Sequence, residues 1–141
     1  MNKRQIKLSC YLEQLNIEVV KVEMILNQLN RLKNNQEIAN YIIERDLLKT
    51  KCQLELSLAS LCIILRKMCE NQFITLNQER RKDINSIIHS NRFDFFEDGK
   101  VYVFSQKGQE EVNIIQLLDY AKKIFKEIVW FFWTSFLFYP R

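Results

Sequence analysis

The stretch IKLSCYLEQLNIEVVKVEMILNQLNRL, Ile6–Leu32, places apolar residues at Ile6, Leu8, Tyr11, Leu12, Leu15, Val19, Val22, Ile25, Leu26, Leu29 and Leu32. Steps of three and four return to one face of a helix at 100° per residue, whereas a strand would alternate by two. The spacing predicts one helix over 5–33, about 45 Å long at the 1.5 Å rise of an α-helix. Lys33-Asn34-Asn35-Gln36 breaks the pattern and reads as a turn. A second helix is predicted over 37–69, with a stripe of Ile38, Tyr41, Ile42, Leu48, Cys52, Leu56, Leu61, Ile64, Leu65 and Met68. Two helices of this length with a short link are expected to pack as an antiparallel hairpin.

Downstream the elements shorten. Residues 70–75 connect, and Thr75 with Gln78 resembles a capping box that starts a third helix running to His89 or Ser90. In RFDFFEDGKVYVF, Arg92–Phe104, aromatic and β-branched residues flank Asp98-Gly99, which predicts a small β-hairpin near 93–104. Ser105 to Glu111 is polar and reads as a loop. Asn113 with Gln116 is placed to cap a last helix from about Ile114 towards Phe136. The expected fold is all-α: two long antiparallel helices, a short helix and a long C-terminal helix, with that hairpin as an excursion.

Composition supports this reading. The chain has 141 residues, fitting one domain over 1–141, and 48% hydrophobic with 27% charged residues suits a packed core rather than disorder. Two glycines and one proline leave few turn-formers. A net charge of +4 permits a polyanionic partner without demanding one. The four cysteines, Cys10, Cys52, Cys62 and Cys69, form no Cys-x-x-Cys pair and read as reduced thiols of a cytoplasmic protein. With a single histidine, neither a metal site nor a cofactor is expected. No signal peptide is visible at the N-terminus. The apolar run Val129–Tyr139 is 11 residues, short of the roughly 20 that span a bilayer, so a membrane span is not expected.

The chemistry-bearing stretch is INSIIHSN, Ile84–Asn91, which holds His89. On a helix, Ile84, Ile87 and Ile88 share a core side. Lys82, Asn85, His89 and Arg92 follow at i, i+3, i+7 and i+10 on another side, with Arg81 on its flank. An imidazole exchanges protons near neutral pH, and cations hold phosphate or stabilise its developing charge. In RNA the 2′-hydroxyl is a built-in nucleophile, so cleavage there needs no metal. The plain alternative is a solvated basic helix face that happens to carry a histidine.

The order of elements, and the frame Ile84-Asn85-Ser86-Ile87-Ile88-His89, resemble the HEPN superfamily of helical bundles. Its motif is an arginine, commonly followed by asparagine, and then a histidine after four to six residues. Asn85 and His89 match; Ile84 occupies the arginine position and cannot hold phosphate. The downstream run HSNRFDFFEDGKVYVF and then VNIIQLLDYAKKI also resembles the region after the family's motif. The resemblance implies an RNA-interacting protein of a toxin–antitoxin or defence-type system, with a metal-independent ribonuclease site formed across a homodimer in active members. It implies His89 as general acid or base and Asn85 as orienter. Lys82, with six residues before His89, is one substitute for the missing arginine, and Arg81 or Arg92 are others. The competing expectation is a HEPN-like domain without catalysis. RNA and an antitoxin or other protein are the implied partners.

The C-terminal helix is apolar nearly all round. Trp130, Phe131 and Trp133 are the expected anchors of a dimer interface, with a membrane-surface contact as the alternative. A non-enzymatic module that dimerises or docks a partner through this helix is the second functional expectation.

Overall fold

A computed structural model of the chain describes residues 2–34, 40–95 and 100–138, without the side chains of 33–34, 40–43, 95 and 132–138. The turn expected at 33–36 falls partly, and the Asp98-Gly99 turn wholly, outside these residues. The fold is mostly helical, with four helices and a small antiparallel sheet among the described residues. The elements are α1 (Lys3–Asn34), α2 (Asn40–Glu70), α3 (Gln78–Ile88), β1 (Phe93–Phe95), β2 (Lys100–Ser105), β3 (Gly108–Asn113) and α4 (Ile114–Phe138).

Helix α1 opens on a reciprocal cap: the Gln5 amide donates to Asn2 Oδ1 at 2.8 Å, and the Asn2 amide to Gln5 Oε1 at 3.0 Å. Its Leu15, Val22 and Leu29 are fully buried, as are Leu54, Leu58, Leu61, Leu65 and Met68 of α2. The α2 stripe therefore differs in part from the one read along the sequence. Leu48 and Leu56 face solvent at 66% and 72% exposure, and Leu54 and Leu58 take the core side. An apolar helix offers more than one set of three-and-four spacings, and contact with α1 selects among them.

The C-terminus of α2 lies against the N-terminus of α1, as expected of an antiparallel pair. The Arg4 guanidinium donates to the carbonyls of Asn71 and Gln72 at 3.1 and 3.4 Å and stacks on Phe73 at 4.3 Å. Cations suit this end of a helix, where carbonyls lack partners. Phe73 N donates to Met68 O and Gln72 N to Cys69 O, the pairing of a Schellman ending, with Gln72 at φ 64°.

Helix α3 starts two residues later than the Thr75 box predicts. Asn77 is the N-cap and accepts the Arg80 amide at 2.8 Å. An extended Asn satisfies an orphan N–H as well as Thr does, and Leu76 beside it is buried. Helix α4 begins where the Asn113 cap predicts, with the Gln116 amide donating to Asn113 Oδ1 at 3.1 Å.

The expected antiparallel pairing near 93–104 is present as β1 and β2, and among the described residues a third strand extends it to a sheet of order β1-β2-β3. Most of the loop read over Ser105–Glu111 is a two-residue turn and the start of β3. Phe93 pairs with Val103, and Val101 with Val112, so these four residues, drawn from all three strands, share one buried face. Strand β3 has the sequence GQEEVN, with a single apolar residue, and so lacks the alternation that marks a strand. It pairs because β2 supplies a partner, and its charges suit an edge. Among the described residues no helix is long and apolar enough to cross a membrane.

Candidate functional site

Residues Lys82, Asn85, Ser86 and His89 stand at i, i+3, i+4 and i+7 on α3, one face about 10 Å long at 1.5 Å per residue. They form one wall of a cleft of about 620 Å³. The other wall is the β2–β3 turn and the strand after it: Ser105, Gln106, Lys107 and Glu110. Three of the residues expected at the site, Lys82, Asn85 and His89, thus share one cleft.

The helix stops at Ile88, and His89 is its C-cap at φ −94°, ψ 1°, its N–H still donating to Asn85 O at 3.0 Å. The imidazole is solvent-exposed. Because the helix ends there, a projection carried on to residue 92 no longer applies. Arg92 is placed over the Phe104 ring at 4.8 Å, and its carbonyl accepts the Phe104 amide at 3.0 Å. Arg81 is exposed on the first turns of α3. Neither arginine lines the cleft.

Ile84, at the position where the resemblance puts arginine, is 1% exposed and belongs to the hydrophobic core with Ile87. An arginine there would point away from the cleft. Lys82 is the α3 cation that faces it.

The second wall was not legible as part of a site. Ser86 is buried, and its hydroxyl donates a hydrogen bond to Glu110 Oε2. Sheet register explains the contact. Glu110 sits opposite Val103, so its side chain projects from the same face as that buried valine, towards α3. Lys107 is carried by the two-residue turn between Ser105 and Gly108. There the Lys107 amide donates to Ser105 Oγ at 3.3 Å, and that hydroxyl donates to Gly108 O at 3.2 Å. Gly108 has φ 116°, a conformation that glycine tolerates and L side chains rarely adopt.

Beside the cleft, the Asp83 carboxyl is held above the ordinary carboxylate range, chiefly by burial. Arg80 opposes the shift, Glu79 adds to it, Lys82 opposes it, and Glu110 adds a smaller push upward. The Cys62 thiol is pushed well above its ordinary value by burial and by Asp83. Cys10 and Cys52, by contrast, lie exposed rather than in the apolar interior. Arg80 stacks over Tyr120 at 5.0 Å with Nη1 buried and without a hydrogen-bond partner, and the Tyr120 hydroxyl donates to Thr75 O at 3.1 Å. The Arg80–Tyr120 contact ties α3 to α4. Burial raises the Tyr120 pKa, with Arg80 opposing.

Among the described residues no group of three or more His, Cys, Asp or Glu is placed to hold a metal ion. On α4, Trp130 and Phe131 are 69% and 68% exposed, while the Trp133 side chain lies outside the described residues. The fold and cleft define a mostly helical protein with a polar, cation-rimmed groove between a short helix and a β-turn. No protein-family model, curated protein or solved structure matches the chain.

Proposed function

We propose that this is a HEPN-like, RNA-interacting protein of a toxin–antitoxin or defence-type system, cytoplasmic and homodimeric, whose metal-independent ribonuclease activity is weak, altered or lost. The observation that carries the proposal is the shared cleft of Lys82, Asn85 and His89 beside a core-facing Ile84. Lys82 gives a phosphate a point charge but no bidentate fork. His89 exchanges the proton of a 2′-hydroxyl, and Asn85 orients it or the phosphate. Without the arginine fork, charge developing on the phosphoryl oxygens is stabilised less, which lowers the rate before it abolishes binding.

Incubation of RNA with the protein in EDTA, alongside a binding titration over a range of salt, tests this. RNA binding that weakens with salt and in Lys82→Ala is the expected result. Cleavage equal in the wild type and in His89→Ala removes the catalytic role. Failure to bind any RNA overturns the proposal.

A second reading rests on the exposed Trp130 and Phe131, which suit a non-enzymatic module that dimerises or docks an antitoxin or other protein through α4. Light scattering on the full chain and on a chain ending near residue 128 tests it. Two soluble monomers would end this reading.

A further inference from the structure

The cleft is not uniformly basic. Lys82 and Lys107 line it from opposite walls, yet the half-buried Glu110 lines the sheet wall along with Lys107. Its carboxylate is held in place by the buried Ser86 hydroxyl and by the β3 register that turns it towards α3. A ligand that is phosphate alone would be repelled by this group. The complementary ligand is anionic at one end, for the lysines, and rich in hydrogen-bond donors at the other. A nucleotide has that division, and the cleft volume of about 620 Å³ accommodates one.

A carboxylate only accepts hydrogen bonds, and one oxygen of Glu110 already takes the Ser86 proton. The bases differ in what they present to such a group on their Watson–Crick edges. Guanine offers two donors side by side, N1–H and the N2 amino group. Adenine and cytosine offer an amino group next to a ring-nitrogen acceptor, and uracil offers one N–H between two carbonyls. An acceptor set against an acceptor is repulsive, so Glu110 rejects those three as well as favouring the first.

Resting on the RNA-binding reading, we propose that the cleft selects guanine. Glu110, oriented by Ser86, accepts the N1–H and N2–H of a guanine base whose phosphate lies between Lys82 and Lys107. Glu110 is then the specificity-determining residue, and Lys107 a phosphate contact that carries no sequence information.

Fluorescence anisotropy on the full chain tests this with short single-stranded RNAs that differ only in one central G, A, C, U or inosine. The G-containing RNA is expected to bind about tenfold tighter than the A, C or U versions, at the scale of one bidentate base contact. Inosine, which lacks the N2 amino group, should lose most of that advantage. Glu110→Gln should collapse the difference between G and the other bases, and Lys107→Ala should weaken all five RNAs by a common factor. Titration of the wild type with guanosine monophosphate against adenosine monophosphate asks the same question if Glu110→Gln fails to fold. Equal affinity for all five RNAs, or a G preference that survives in Glu110→Gln, overturns guanine selection and leaves RNA binding standing. Binding of no RNA overturns both.

Discussion

Restoring the arginine of the resembling motif should cost the protein its stability. Ile84 is 1% exposed and sits in the hydrophobic core, so Ile84→Arg removes a buried aliphatic side chain worth about 1.5–3 kcal/mol. It also forces an unpaired guanidinium into the interior, at an effective cost of several kcal/mol. The sum exceeds about 4 kcal/mol, in the range reserved for the severest single substitutions. Folded domains hold only about 5–15 kcal/mol in total. At about 3–4 °C per kcal/mol for a chain of this size, the melting midpoint should fall by more than about 12 °C. Thermal melts followed by circular dichroism measure this, with Ile84→Val as a control expected to cost about 0.5–1.5 kcal/mol. Lys82→Arg, exposed on the cleft face, should stay within about 0.5 kcal/mol of wild type while presenting a forked cation to the groove. If Ile84→Arg melts within a few degrees of wild type and cleaves RNA in EDTA, residue 84 reaches the cleft, and the core placement that underlies the functional proposal is refuted.

Other outcomes follow from the local geometry. Gln72 ends α2 in the left-handed region at φ 64°, so Gln72→Gly should stabilise the protein by about 0.5–1 kcal/mol in urea denaturation; destabilisation would argue against that ending. Asn77→Ala should cost about 1 kcal/mol through loss of the α3 cap, whereas Thr75→Ala keeps the backbone carbonyl that Tyr120 uses and should change little. Asp83 has a folded-state pKa above that of the unfolded chain, about 3.9, so its charged form opposes folding at neutral pH. That penalty fades as pH falls through the raised value and is gone below the unfolded one. Asp83→Asn should therefore melt higher than wild type at pH 7, with the gap closing towards pH 4; a gap that widens on acidification would show the shift to have the opposite sign.

Periodicity made the four helices legible, because burying one face of a helix imposes spacings of three and four whatever the partner is. The β3 strand was hidden for the converse reason. GQEEVN buries only Val112 fully, and its pairing comes from β2 rather than from its own pattern. The candidate site divides along the same line. Lys82, Asn85 and His89 share a face by helix geometry alone, so their association was written in the spacing. Arg92 was projected onto that face from a helix that stops at Ile88, and tertiary contact set it on Phe104 instead. Glu110 and Lys107 carried no local signal, and neither did the pairing of Ser86 with Glu110. The Glu110–Ser86 contact spans 24 residues and needs the third strand in register before it can exist. By itself the sequence determined the helical class, the cap of α4 at Asn113 and the polar face around His89, since each depends on residues within about two helical turns of one another. The opposite wall of the cleft, the burial of Ile84 and the side of α2 that meets α1 were decided only by the tertiary structure. They depend on which surfaces, distant along the chain, exclude water together.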